Sequence, residues 1–152
     1  MSQQIDISQL PVPQLNALNQ QLQEEIEFFT NSLQQLKHAQ GKYVESQESL
    51  NKVGPESKGN DILVPLTSSM YVPGQLSDVE NVLVDIGTGY YVDMSVKAAK
   101  EYFKRRIDYI TKQIEKVQPV VQEKYKMKQV VTEIMQMKIQ AQIQAQGVTT
   151  KT

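Results

Sequence analysis

A seven-residue apolar repeat in the first third of the chain limits its folds more than any other feature. Large apolar side chains recur at every seventh residue, at Leu15, Leu22, Phe29, Leu36, Tyr43 and Leu50. A second apolar row follows at Leu18, Ile26, Leu33 and Ala39. Because this spacing puts both rows on one stripe of an α-helix, it is typical of a coiled coil. We therefore predict a first coiled-coil helix over residues 12–53, between Pro11 and Gly54.

A similar stripe later in the chain provides a partner for the first helix. Its apolar residues alternate spacings of four and three, at Phe103, Ile107, Ile110, Ile114, Val117 and Val121. We predict a second coiled-coil helix over residues 95–146, with Ser95 as its N-cap. Pro119 removes one amide donor from this helix, so we expect a local kink there. The charged residues Lys124 and Lys128 fall at seam positions, where the apolar pattern slips.

The segment between the two helices has the composition of short strands. Residues 62–93 contain four apolar, β-branched or aromatic runs, and the turns between paired runs fall at Thr67-Ser68-Ser69 and Gly87-Thr88-Gly89. We predict two β-hairpins, which at this size are marginally stable alone and expose unpaired edges. The expected fold is α+β but mainly α: residues 1–152 form one antiparallel coiled-coil hairpin with the β-hairpins at its base.

The composition agrees with an elongated chain. Among 152 residues there are 21 Gln and no Trp, 39% are hydrophobic, and the mean hydropathy is -0.44. A thick globular core is difficult to build from such a composition. The absence of Cys excludes disulfides and thiolate zinc sites and indicates a reducing compartment, so we expect a cytoplasmic protein. No apolar run approaches the roughly 18 residues of a membrane span, and we expect no membrane association.

Candidate catalytic and metal sites are weak. Gly87-Thr88-Gly89 lacks the third glycine and the following helix that a phosphate-binding loop needs, so a hairpin turn is the better interpretation. His38 is the only histidine and lies on the first predicted helix, where no catalytic triad can be assembled. Glu24 and Glu27 share a helix face, but solvated surface carboxylates are far more common than cation sites. We predict no enzyme activity, no metal and no cofactor.

Charge is segregated along the chain. Residues 95–146 hold eleven Lys or Arg and five acidic residues, whereas residues 54–94 hold one Lys and six acidic residues. The basic run Lys104, Arg105 and Arg106 raises the possibility of phosphate contacts. Because acidic residues are interspersed with these bases, a solvated coiled-coil flank is the stronger interpretation, and we expect no nucleic acid as partner. The basic helix could also pair by charge with the acidic segment 54–94 or with another subunit, and this alternative is left open.

Apolar residues far from the predicted hairpins suggest a binding surface. Some must continue the helical core, but the broad stripe on the second helix exceeds what one slim helix can cover. Flexible Met side chains also suit surfaces that accept varied apolar partners. The candidate binding residues are Val12, Leu15, Leu18, Met127, Val130, Val131, Ile134, Met135, Met137 and Ile139.

The order of helix, two hairpins and helix closely resembles the α-type subunits of prefoldin over nearly the whole chain. The specific stretches are Leu63-Val64-Pro65-Leu66-Thr67 and Ile86-Gly87-Thr88-Gly89-Tyr90-Tyr91-Val92. The resemblance implies a hetero-hexamer of two α-type and four β-type subunits, whose hairpins join into an oligomeric β-barrel. Under this interpretation the subunit-assembly residues are Ile62, Leu63, Val64, Leu66, Met70, Tyr71, Val72, Val82, Leu83, Val84, Ile86, Tyr90, Tyr91 and Val92.

The resemblance also implies a function. Prefoldin is an ATP-independent co-chaperone that captures unfolded actin and tubulin and passes them to the cytosolic chaperonin, so the candidate binding residues would hold unfolded clients. Partners would be the other prefoldin subunits, these clients and the chaperonin, and a nuclear pool is left open. The alternative from another class is a coiled-coil adaptor or transcriptional cofactor that binds one defined folded partner.

Overall fold

The computed structural model describes residues 6–148, which form two long α-helices and two small antiparallel β-hairpins. This architecture confirms the predicted fold class. The elements in chain order are α1 (Val12–Asn51), β1 (Asp61–Pro65), β2 (Tyr71–Gln75), β3 (Asn81–Gly87), β4 (Tyr90–Ser95) and α2 (Val96–Val148). Short 3-10 turns at Ile7–Gln9 and Pro55–Ser57 precede α1 and β1. Residues 1–5 and 149–152 of the predicted range 1–152 lie outside this description.

The helices begin close to the predicted boundaries for local reasons. The carbonyl of Pro11 accepts 3.0 Å hydrogen bonds from the amides of Gln14 and Leu15, which starts α1 at Val12. The Ser95 hydroxyl accepts a 3.2 Å hydrogen bond from the Ala98 amide, so Ser95 is the N-cap of α2 as predicted. Helix α2 then continues through Pro119 without ending there. Both C-terminal boundaries differ from the prediction by two residues, since α1 ends at Asn51 and α2 at Val148.

The predicted apolar stripes face inward. All ten residues of the two predicted α1 rows and all six of the predicted α2 row are buried or half-buried. The internal contacts of the chain divide into two compact units, residues 6–36 with 113–148 and residues 37–112. In the first unit Leu15, Leu22 and Val131 form a buried cluster, and Ile26 is 2% exposed. Burial of these side chains stabilises the helix pair by about 1.5–3 kcal/mol for each fully buried aliphatic residue.

Charged seam positions in the first unit also form contacts between the helices. The Lys124 ammonium donates a 2.5 Å hydrogen bond to Glu25 Oε2, and the Lys128 ammonium donates to Gln23 Oε1. As the residue number rises in α1 it falls in α2, so the helices are antiparallel in this unit. Polar side chains therefore continue the pairing where the apolar pattern slips.

The second unit contains the hairpins and the adjoining parts of both helices. Gln40 Nε2 donates a 2.8 Å hydrogen bond to Thr111 Oγ1, which links α1 to α2 here. Leu50, Val84 and Ala99 form a buried cluster that joins both helices to β3. The second hairpin is therefore anchored to its own chain through one face of β3.

Both hairpins are antiparallel and two-stranded. β1 pairs with β2 from Asp61 opposite Gln75 to Pro65 opposite Tyr71, and β3 pairs with β4 with a register shift between Asp85 and Gly87. Leu66 and Met70, predicted as strand residues, close the first turn instead, because the Leu66 amide donates to the Met70 carbonyl at 2.9 Å.

The Glu25–Lys124 pair predicts a stability that depends on pH. The hydrogen bond from Lys124 lowers the pKa of Glu25 below its ordinary value of 4.5. A lowered pKa means that the contribution is fully present above about pH 4.5 and is lost as the pH falls through the folded-state value. We expect Glu25→Gln to lower the thermal midpoint slightly at about pH 7 and less at about pH 2.5. Circular dichroism melts at both pH values measure this difference.

Glu24→Gln is the matched control, because Glu24 is exposed and its change leaves the bridge to Lys124 intact. Equal midpoint changes for the two variants at both pH values would contradict the assignment.

Candidate binding surfaces

The β-hairpins carry a surface of exposed apolar side chains. Leu83 is 71% exposed and Tyr90 is 73% exposed, so most of each large side chain is open to solvent. Twelve of the fourteen predicted assembly residues are exposed: Ile62, Leu63, Val64, Leu66, Met70, Tyr71, Val72, Leu83, Ile86, Tyr90, Tyr91 and Val92. An apolar surface of this kind marks an interaction site more often than a solvated face.

Val82 and Val84 are the two predicted assembly residues that are not exposed. Val84 is 5% exposed and packs with Leu50 and Ala99, and Val82 is half-buried against the same cluster. Because side chains alternate between the faces of a strand, Leu83 points away from this cluster. The structure therefore assigns Val84 to the core of its own chain, where its side chain is not available to another subunit.

The hairpin edges are open as well. Within residues 6–148 each sheet has two strands, and no third strand pairs with either of them. A groove of about 660 Å³ runs beside β3 and is lined by Tyr43, Leu50, Leu83, Tyr91 and Phe103, among others. Unpaired backbone groups next to an apolar groove suit the addition of strands and side chains from another chain.

Part of the basic surface is used within the second unit. The Arg106 guanidinium lies 5.6 Å from the ring centroid of Tyr43 and 5.9 Å from that of Tyr109. A 3.5 Å hydrogen bond to the Tyr43 hydroxyl raises the pKa of Arg106. Stacking on tyrosine rings stabilises the cation without any phosphate. This contact favours the interpretation of the basic run as a coiled-coil flank.

The candidate binding residues of the first unit separate into three groups by exposure. Leu15 and Val131 are fully buried in the core, so their side chains do not reach the surface. Val12, Leu18, Ile134 and Met135 are half-buried. Met127, Val130, Met137 and Ile139 are exposed. Their role in client binding stays a prediction, but the exposed group is the part of the set that can contact a partner directly.

Three apolar residues of the first unit were not predicted from the sequence. Ile143 is 62% exposed and follows Ile139 by one helical turn, a spacing that could have indicated it. Ile7 and Leu10 pack against the cluster around Leu15 although they precede α1. No periodic pattern extends to these two residues, so their contacts were not predictable from the repeat.

A short turn holds Ile7 and Leu10 in place. Asp6 caps the 3-10 turn, since its carboxylate accepts hydrogen bonds from the Ser8 hydroxyl at 2.6 Å and the Ser8 amide at 3.0 Å. These hydrogen bonds, that of the hydroxyl foremost, lower the pKa of Asp6. The Lys138 ammonium donates a 2.5 Å hydrogen bond to the Leu10 carbonyl. The segment is thus attached to α2 by both apolar and polar contacts.

Neither a metal-binding group nor a membrane-spanning stretch is found among the residues described. Over residues 6–148 no group of three or more His, Cys, Asp or Glu side chains is arranged to hold a metal ion. Within the same range neither helix has a stretch long and apolar enough to cross a bilayer.

Comparisons with known proteins agree with this geometry. Residues 22–141 match the family model described as prefoldin subunit. Human prefoldin subunit 5 is 55% identical over 140 residues, 92% of this chain and 91% of the human protein. A probable prefoldin subunit 5 from Dictyostelium discoideum is 40% identical over 145 residues, 95% of this chain and 90% of its own length.

A solved structure shows the same fold. The cryo-EM structure of filamentous PFD from Methanocaldococcus jannaschii aligns with a TM-score of 0.64 at 18% identity, and the alignment covers 78% of this chain and 98% of the archaeal chain. At this low identity the likeness supports the fold of two helices and two hairpins.

The two faces of β3 predict a large stability loss for one substitution and a small loss for its neighbour. Val84→Ala removes two methyl groups from a buried cluster, so we expect the free energy of unfolding of the isolated chain to fall by roughly 1–3 kcal/mol. Leu83→Ala is the matched control and should change it by less than about 0.5 kcal/mol, because Leu83 is exposed. Urea denaturation measures both values. A larger loss for Leu83→Ala than for Val84→Ala would contradict the assigned faces.

Proposed function

The chain belongs to the prefoldin family, and from this premise we propose that it is a subunit of a hetero-hexameric prefoldin co-chaperone with two α-type and four β-type subunits. The observation that carries the assembly step is the pair of two-stranded hairpins with exposed apolar faces. Strands of other subunits would pair with the open edges and cover Leu63, Leu83 and Tyr90. Each such side chain gains about 1.5–3 kcal/mol when it is fully buried, enough for several to stabilise a permanent assembly.

The proposed clients are unfolded proteins, among them nascent actin and tubulin, which the assembled complex would pass to the cytosolic chaperonin. Exposed Met127, Val130, Met137 and Ile143 on α2 support this step, because flexible apolar side chains can adapt to varied apolar segments. Weak contacts from several subunits would add up by multivalency. Binding of clients by such weak apolar contacts needs no ATP. Since the proposed clients are cytoplasmic, we propose the cytoplasm as the location of the complex.

Assembly is tested by an acidic substitution on the outer face of the second hairpin. Leu83→Asp would bury an unpaired carboxylate in the subunit interface, so we expect this variant to be absent from the complex. The measurement is the native mass of the complex after co-expression with the other five candidate subunits.

Phe28→Asp is the control for assembly, because Phe28 is 66% exposed on α1 and belongs to no hairpin. This variant should enter the complex as the unchanged chain does. Incorporation of Leu83→Asp at the wild-type level would contradict assembly through the hairpins.

Client holding is tested on the exposed part of α2. The double substitution Met137→Ser with Ile143→Ser leaves the buried cluster intact, and we expect it to weaken binding of an unfolded polypeptide on the order of fivefold, since about 1 kcal/mol of apolar burial is lost. Fluorescence titration of the assembled complex with a labelled, permanently unfolded protein measures the affinity.

Tyr109→Ser changes a large side chain that is 56% exposed in the other unit; it is the control for holding and should leave the affinity unchanged. An unaltered affinity of the Met137 and Ile143 double variant would contradict this surface. Binding of one folded protein without binding of unfolded ones would favour the coiled-coil adaptor instead.

A further inference from the structure

Residues 6–10, which we call the N-terminal strap, pack on the cluster of the first unit that contains the candidate binding residues Leu15 and Val131. Ile7 and Leu10 pack against the cluster of Leu15, Leu22 and Val131. Leu18, Ile134 and Met135 pack against the same cluster and are half-buried. The strap therefore shares a contact region with half-buried residues that are candidates for binding unfolded clients.

The attachments of the strap are few and can open without disrupting a helix. The Leu10 amide donates a 3.2 Å hydrogen bond to the Ile7 carbonyl, and the Lys138 ammonium holds the Leu10 carbonyl at 2.5 Å. Pro11 separates this turn from α1. A short segment with few backbone hydrogen bonds belongs to the low-stability end of a structure, where local opening is easiest.

We propose that the N-terminal strap is an intramolecular competitor, which occupies part of the client-binding surface when no client is present and is displaced when an unfolded polypeptide binds. This inference rests on the proposed function. Ile7 and Leu10 resemble a client in chemistry, because they are isolated apolar side chains on a short polar segment. Displacement exchanges their contacts with the cluster of Leu15, Leu22 and Val131 for those of the client. The closed strap keeps that apolar surface from associating non-specifically.

Competition has a quantitative consequence. If the client-competent open form is about a tenth of the population, the apparent dissociation constant is about tenfold weaker than the intrinsic one. Ile7→Ser with Leu10→Ser removes the competing side chains and should tighten binding of an unfolded probe by up to about tenfold. The measurement is a titration of the assembled complex with labelled, reduced and carboxymethylated α-lactalbumin, which stays unfolded.

A second variant leaves the apolar side chains in place. Lys138→Ala removes the donor to the Leu10 carbonyl and should also tighten binding, by a smaller factor. Lys126→Ala is the matched control, because Lys126 is an exposed lysine of the same helix outside the strap contact. It should leave the affinity unchanged.

Strap movement can be observed directly because the chain has no cysteine. A fluorophore on Gln9→Cys, at an exposed position of the strap, should show lower anisotropy after the probe is added to the complex. Unchanged anisotropy during probe binding would overturn the proposal. Probe binding no tighter than that of the unchanged complex, for both the Ile7 and Leu10 double variant and the Lys138 variant, would overturn it as well. Failure of the unchanged complex to bind the probe at all would instead overturn the proposed function, and the strap proposal with it.

Discussion

The absence of a third strand from either hairpin of the described chain is the constraint on which the rest of the structure depends. A two-stranded sheet leaves backbone groups unpaired along both outer edges, and its stability must come from a surface on which it packs. The second hairpin obtains part of this support from Val84, which packs on Leu50 and Ala99. Its opposite face, with Leu83 and Tyr91, has no such cover in the described chain. The hairpin is therefore fixed by one face and open to other subunits on the other.

The helix pair of the first unit solves a related problem, because it must be stable and still present apolar side chains. Leu15 and Val131 are fully buried and hold the pair together, while Met137 and Ile143 point outward from α2. Hydrogen bonds from Lys124 to Glu25 and from Lys128 to Gln23 replace apolar packing at this part of the seam between α1 and α2. Core and surface are thus separated on a single helix, which leaves the surface residues available for the proposed client contacts.

The sequence predicted the helices better than the surfaces. The heptad spacing required one buried stripe on each helix. Ser95, followed by a helical pattern, indicated the N-cap of α2 that the structure contains. The inward direction of Val84 was missed although strand alternation indicates it, because Val82 and Val84 share one face of β3 while the face of Leu83 also carries Asn81 and Asp85. The partners of Lys124 and Lys128 depend on how two distant segments align, which a local pattern does not specify. The N-terminal strap precedes the repeat, so nothing periodic indicated that Ile7 packs on the core.

Hydrogen–deuterium exchange of the strand amides is the most direct test of the claim that the hairpins are completed by other subunits. The account predicts rapid exchange along the outer edges of β1, β2, β3 and β4 in the isolated chain, and strong protection of the same amides after co-assembly with the other prefoldin subunits. Amides that are already protected in the isolated chain, or that gain no protection on assembly, would contradict it.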